Sequence, residues 1–369
     1  MQKGIEQYQG FSFENAPSRA RRIVRAGDVI VSTVRTYLKA VASIHDDKDV
    51  IVSTGFAVIR PKEVDSRFLA YSLANHYFVE MVSSRSTGVS YPAINASAMV
   101  NIKNILPPND IQKCIADYLD RKTEAVDTAI SDKEKLIRLL EEQRTSVICS
   151  AVTKGIDSTA EMKDSGNEWL GYIPSHWRVV PAKALFAQSK EIRHETDAQL
   201  TASQKYGIIS QDDYMERQNY KIVLADKGLE NWKHVEPNDF IISLRSFQGG
   251  LEISYIPGCI TWHYIVLKPK AGVEPEYFKW LFKSPRYIQA LQRTANFIRD
   301  GQDLRFSNFV QVPLPLIPMD EQKEIADYLN KKTARIDSII ADVTEQIKKL
   351  KEYRQSIISA VVTGKVAVG

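Results

Sequence analysis

Cysteine is scarce. The 369 residues contain three, Cys114, Cys149 and Cys259, scattered and never in a C-x-x-C pair. That speaks against a disulfide framework and a thiolate zinc site, and fits a reducing cytoplasm. No apolar run approaches the ~20 residues of a membrane-crossing helix. The opening stretch MQKGIEQYQGFSFENA has no apolar core of the signal-peptide kind. Also missing are the G-x-x-x-x-G-K-[ST] loop for a nucleotide triphosphate, the G-x-G-x-x-G turn, and an Asn-Pro-Pro-Tyr stretch for amino-methyl transfer. A nuclease needs carboxylates gathered on a metal. The nearest set is Asp239 with Glu252-Ile253-Ser254, but Ser254 stands where a lysine is wanted, and a surface turn plus a strand is the plainer reading. The six histidines, His45, His76, His176, His194, His234 and His263, form no ligand-spaced pair, so no metal site is expected. His176 and His263 each adjoin a tryptophan, as packing or capping residues do.

What the chain does have is repetition. From Pro318 to Gly364, Ile336, Ile340, Val343, Ile347, Leu350, Ile357 and Val361 step by four and three, with Arg354 in the one missing step. That is the 3.5-residue period of a coiled-coil seam. Pro318 and Asp320 start the helix and Gly364 stops it. At ~1.5 Å per residue, Glu321 to Thr363 makes a rod of about 60 Å, which needs another rod to cover its seam. Its partner lies 210 residues earlier: Asp110–Thr153 and Asp320–Thr363 align without a gap, 21 of 44 residues identical. Val126, Ile130, Ile137, Leu140, Val147 and Ala151 fall under Ile336, Ile340, Ile347, Leu350, Ile357 and Val361. The equal rods, with a whole globule between them, are expected to pair antiparallel.

Each rod follows a mixed α/β segment. In the first, Val29–Val34, Val50–Val52, Phe56–Ile59 and Ile102–Leu106 read as strands and Phe68–Phe78 as helical. In the second, Phe240–Leu244, Leu251–Tyr255 and Tyr264–Leu267 read as strands and Pro275–Ala290 as one helix. The globules are also related, since Arg35-Thr36-Tyr37 falls on Arg245-Ser246-Phe247 at the same offset. The expected organisation is therefore a first globule over 1–107, a long helix over 108–155, a connector over 156–165, a second globule over 166–317 and a second long helix over 318–365. About 45 residues that open the second globule, including Trp169, Ile173, Trp177, Leu185 and Phe186, have no counterpart in the first, which is expected to be N-terminally incomplete.

This order resembles the specificity subunit of type I restriction–modification systems. The resemblance is carried by Trp169-Leu170-Gly171-Tyr172-Ile173-Pro174-Ser175-His176-Trp177, by Pro315 through Glu321-Gln322 into Ile325-Ala326-Asp327-Tyr328-Leu329, and by the ending Ser359-Ala360-Val361-Val362-Thr363-Gly364-Lys365. It implies two target recognition domains, each reading one half of a split double-stranded DNA site and held apart by two antiparallel coiled-coil helices. It further implies a non-catalytic chain on which two methyltransferase subunits dock and which restriction subunits join. S-adenosylmethionine, ATP and Mg²⁺ would belong to those partners, with no cofactor on this chain.

Candidate DNA contacts are distributed over loops. Arg35 with Tyr37, and Arg245 with Phe247 and Gln248, follow strand ends; such an arginine can take guanine O6 and N7, touch a phosphate, or make an intradomain ion pair. Ser90 and Tyr91 in the first globule, and Arg299, Gln302 and Arg305 in the second, lie on polar loops before the last strand. A net charge of +4 leans toward a polyanionic partner. Lys348, Lys349 and Lys351 read as a solvated helix face. Ile130, Ile137, Leu140, Ile340, Ile347 and Leu350 are the seam positions assigned to rod pairing. A purely structural coiled-coil adaptor would explain the rods, but not two related globules with matched Arg-[ST]-aromatic turns.

Overall fold

The structure, a computed structural model, describes residues 9–45, 50–219, 228–295 and 304–368. They form two compact units, the first made of residues 1–137 and 341–369 and the second of 138–340. The boundary passes through both long helices, so each unit takes part of each rod, unlike the sequential order of globule and rod.

The first unit holds β1 (Ala20–Val24), β2 (Val29–Ser32), β3 (Val41–Ser43), β4 (Val50–Ser53), β5 (Phe56–Ile59), α1 (Ser66–Ala74), α2 (His76–Ser84) and α3 (Ala96–Val100). A three-stranded antiparallel sheet runs β3-β2-β5, with β1 and β4 paired separately. The β-branched run Val29-Ile30-Val31 is buried along its whole length, so β2 is the central strand. Asp65 opens α1 by accepting from the Arg67 and Phe68 amides, and Asn75 opens α2 by accepting from Phe78. Val29, Phe78 and Met99 join one core.

The long helix α4 (Asn109–Lys154) leads into the second unit. There follow β6 (Met162–Asp164), β7 (Tyr172–Pro174), β8 (Arg178–Val180), α5 (Ala182–Leu185), β9 (Phe186–Gln188), β10 (Leu200–Ser203), β11 (Gly207–Ser210), α6 (Gln211–Gln218), β12 (Lys233–Val235), β13 (Phe240–Ile242), α7 (Ser246–Gly249), β14 (Glu252–Ile253), β15 (Gly258–Ile260), β16 (Ile265–Pro269), α8 (Pro275–Lys283), α9 (Pro285–Arg293), α10 (Phe306–Phe309) and β17 (Leu314–Leu316). The main sheet runs β14-β13-β16-β9. Phe186 on β9 packs edge-on against Phe240, Phe278 and Phe309, with ring centres 5.1–5.7 Å apart. The segment that opens this globule therefore supplies the centre of its core. In the first unit β5 occupies the position of β16 but is an edge strand, because no described strand takes the place of β9.

The second long helix is α11 (Met319–Val362), and within each unit its segment packs antiparallel to that of α4. In the first unit Val126, Ile130, Val343 and Ile347 form a buried seam, with Ile137 and Leu350 packed beside it. Nearer the helix ends, Ile115 and Leu119 meet Ile358 and Val361, covered by Phe68 and Tyr71 of α1. The second unit repeats that core: Ile325 and Leu329 join Ile148, Ala151 and Val152 with Phe278 and Leu281. Each falls 210 residues from a counterpart in the first core, Val152 matching Val362 beside Val361. Leu140 and Ile340 are half-buried, in the second unit.

Arg354, the charged step in the seam, forks onto Asp127 at 2.8 and 2.9 Å. Its counterpart Arg144 forks onto Asp337 at 2.8 and 3.3 Å. Each unit thus contains the same arginine–aspartate pair with the two helices exchanged. A guanidinium at an a/d-type position fixes register, because sliding by one turn would bury it without a carboxylate.

Three expectations need correction. Ile102–Leu106 forms no strand; Ile105 and Leu106 are exposed. Their counterpart β17 is a strand because β8 pairs with it. Pro275–Ala290 is two helices, since Ser284 ends α8 and caps α9 with Pro285 in its first turn. The connector over 156–165 contains β6, which pairs with β7. Among the described residues no helix is long and apolar enough to cross a membrane.

Candidate nucleic-acid interface

In the first unit, the chain leaves β2 and enters a single 3-10 turn, Thr36–Leu38. Arg35 precedes it in the left-handed region, at φ 50°. Thr36 is the anchor, 2% exposed, its hydroxyl 2.7 Å from the Ser86 hydroxyl. Backbone bonds join Thr36 to Pro92 and Thr87 to Ala93. This pins the 86–93 loop beside the turn and sets the Arg35 guanidinium 4.9 Å from the Tyr91 ring centre. Tyr37, Ser90 and Tyr91 are all exposed. Four sequence-predicted residues, Arg35, Tyr37, Ser90 and Tyr91, therefore share one surface. Val89, fully exposed, stands with them.

In the second unit the equivalent turn is α7. Ser246 is the anchor, 0% exposed, and accepts from the Ser243 amide at 2.9 Å. Arg245 and Gln248 point outward and are exposed. Phe247 does not: it packs against the core, and its carbonyl accepts from Gln292. Its assignment as a DNA-contacting aromatic is therefore corrected to a packing role that holds the turn on α9. Gly250 closes α7 at φ +76°, where an added Cβ would lie 2.1 Å from the Phe282 carbonyl oxygen. Only glycine fits this close approach of the turn to the Phe282 carbonyl of α8.

Arg305 is exposed and begins α10. Asn308 of α10 donates to the Thr294 carbonyl at 2.8 Å. The C-terminal end of α9 thus ties down both the Arg245 turn, through Gln292, and the Arg305 turn, through Asn308. Arg299 and Gln302 lie outside the described residues. Sequence reading also passed over Trp262, more than half exposed and stacked on His263 at 3.5 Å in the turn between β15 and β16. Three consecutive aromatic rings, Trp262-His263-Tyr264, in a tight turn were the available signal.

The carboxylates first compared with a nuclease set have other work. Asp239 is buried at the start of β13 and accepts from the Glu236 amide at 2.9 Å. Burial pushes its carboxyl up to about 6. Glu252 is also buried, raised by that burial, and paired with Lys283. Its first-unit counterpart of Asp239, Asp28, is held below the usual carboxylate range by the Arg60 guanidinium, which contacts both its oxygens at 2.8 and 2.7 Å. His176 and Trp177 both bond Glu321 at the start of α11, at 2.8 and 3.0 Å, as packing and capping residues would. His194 and His234, far apart in sequence, stack with ring centres 4.0 Å apart.

The two units are built on one repeat, and each carries an exposed arginine on a turn pinned by a buried hydroxyl. The chain belongs to the type I restriction–modification DNA specificity family, whose model matches residues 19–137 and 174–349. It is 23% identical over 366 residues to a putative type I restriction enzyme MjaX specificity subunit of Methanocaldococcus jannaschii, covering 93% of this chain and 79% of the relative. It is 20% identical over 331 residues to the type I restriction enzyme EcoKI specificity subunit of Escherichia coli K12, covering 84% and 68%. Among solved structures, one from a study of complex assembly and conformational transition of the type I R-M system superposes with a TM-score of 0.69 at 20% identity, covering 94% of this chain and 84% of that one. The HsdS subunit from Thermoanaerobacter tengcongensis superposes with a TM-score of 0.52 at 22% identity, covering 96% and 85%. As a member of the family the chain is the sequence-recognising, non-catalytic subunit of a restriction–modification complex.

Proposed function

We propose that the two arginine turns are the DNA-reading surfaces, each serving one half of a bipartite double-stranded site. Arg35, Tyr37, Ser90 and Tyr91 serve the first unit; Arg245, Gln248 and Arg305, with Arg299 and Gln302 nearby in sequence, serve the second. The observation that carries this is the matched pair of buried anchors, Thr36 and Ser246, each holding an exposed arginine at the end of a central strand. A turn held by a buried hydroxyl lets a guanidinium reach base edges with less loop entropy to lose. The long helices are the docking surface for two methyltransferase subunits, with restriction subunits joining. S-adenosylmethionine, ATP and Mg²⁺ act on those partners in the cytoplasm.

The second unit has the fuller framework, with β9 completing its sheet, and is the stronger reader. In the complex assembled with methyltransferase subunits, Arg245→Ala weakens binding to the methylated motif by ~1–3 kcal/mol, about 5- to 150-fold, if it reads a guanine. Arg35→Ala has a smaller effect. Equal losses show that both units read DNA with equal weight. An equal loss on specific and non-specific duplex, with the salt slope reduced by about one, shows that the arginine contacts a phosphate.

A further inference from the structure

Glu191, His194 and His234 come together in the second unit. The stretch after β9 lies along β12: the Arg193 amide donates to the Trp232 carbonyl at 2.9 Å and the His234 amide to the Glu191 carbonyl at 3.1 Å. One ligand atom from each of the three side chains lies within 4.8 Å of the others. His234 is buried, and its Nδ1 is 2.8 Å from Oδ2 of the equally buried Asp197. That same oxygen accepts from the His194 amide at 2.8 Å, so Asp197 is itself fixed. The Asp197 oxygen is engaged by Nδ1, so Nε2 is the His234 ring nitrogen left for a ligand. His194 Nε2 lies 3.3 Å from Glu191 Oε1, while Glu191 Oε2 is held by Lys268 at 3.1 Å. One carboxylate oxygen is thus presented to the imidazoles and the other is anchored.

We propose that Glu191, His194 and His234 bind a divalent transition metal of the Zn²⁺ class, with Asp197 orienting His234 from behind and Lys268 orienting Glu191. Two imidazoles and one carboxylate suit Zn²⁺, Ni²⁺ or Cu²⁺ and not Ca²⁺ or Mg²⁺, which take mostly oxygen. Tetrahedral zinc with ligands at ~2.0–2.1 Å sets them ~3.3 Å apart. The exposed His194 and Glu191 close the remaining distance, while buried His234 stays in place. Cys259 lies across from His234 on β15, but its thiol turns to the Asp197 carbonyl at 3.8 Å and is not one of the three converging groups. Bound metal would clamp the stretch after β9 onto β12.

The test is titration of the chelator-treated full-length chain with ZnCl₂ by calorimetry, repeated with CoCl₂ by absorption. One saturable equivalent is expected, with an absorption band of tetrahedral or five-coordinate Co²⁺. His194→Ala, an exposed substitution that leaves the fold alone, lowers the affinity at least tenfold, as does Glu191→Gln. Asp197→Asn lowers it by ~10–100-fold, the usual cost of losing an orienting carboxylate. His263→Ala, remote from the cluster in sequence and outside it, changes nothing. Absence of saturable binding up to 100-fold excess metal would overturn the proposal. So would undiminished binding in His194→Ala.

Discussion

Replacing Asp239 by asparagine tests the electrostatics of the second unit, because all five tryptophans, Trp169, Trp177, Trp232, Trp262 and Trp280, lie within it. Their fluorescence reports this unit alone. Asp239 is 3% exposed, and burial raises its carboxyl from 3.8 to about 6. The folded state therefore holds the proton more tightly than the unfolded chain. The resulting stability is fully present below 3.8 and is lost as pH rises through about 6. One pKa unit is ~1.4 kcal/mol, so the contribution grows by about 1.4 kcal/mol from pH 7 to pH 5 and approaches ~3 kcal/mol at its limit. Asparagine keeps an oxygen for the Glu236 amide and carries no charge. Asp239→Asn should thus be more stable than the wild type at pH 7 and lose that advantage toward pH 4.5. The assay is urea unfolding followed by tryptophan fluorescence at half-unit pH steps, read as the difference between the two proteins. Subtraction removes other titrating groups, including Glu252, whose carboxyl is raised in the same direction. A difference that does not change with pH would refute the argument. At the equivalent place in the first unit the sign is reversed: Arg60 lowers the Asp28 carboxyl, so its stabilisation is present above 3.8 and lost as pH falls through the lowered value.

Ile130→Asp places an unpaired charge in the first unit's seam beside Val343 and Ile347 and should cost ~3–5 kcal/mol; an unchanged helical circular-dichroism melt would argue against that packing. Gly250→Ala forces a side chain into a backbone region reserved for glycine, against the Phe282 carbonyl, and should cost at least ~2 kcal/mol in the tryptophan-reported transition. Tyr277→Phe removes the hydrogen bond from a fully buried hydroxyl to the Val152 carbonyl, 2.8 Å long, and leaves that carbonyl short of a partner. A loss of ~1–3 kcal/mol is expected, and none would show that water replaces the hydroxyl.

The long helices were legible because a seam with a 3.5-residue period, repeated at a fixed offset, has few other readings; Glu321–Thr363 was expected and Met319–Val362 is found. Strand Ile102–Leu106 was misread because its apolar residues suit a strand, yet a strand also needs a partner, and β8 supplies one only in the second unit. Phe247 was placed on the DNA face because the matched Arg-[ST]-aromatic turns suggested matched roles. Tyr37 is exposed while Phe247 packs inward, a difference set by the backbone: Arg35 is left-handed at φ 50° and Arg245 sits at φ −107°. The His194–His234 pair was invisible to spacing because β12 alignment, not sequence proximity, brings the rings together.

The division of the chain into 1–137 with 341–369, and 138–340, has a temporal meaning. The second unit is one uninterrupted stretch and can close as soon as it leaves the ribosome. The first is assembled from both ends of the polypeptide. At ~5–20 residues per second, roughly 10–40 s pass between the emergence of Ile137 and that of Ala341. Throughout that interval Phe68, Tyr71 and Leu119 lack the cover of Ile358 and Val361. The nascent chain, rather than the finished protein, is then the form that most needs a chaperone, and its vulnerability lies in the half that was made first.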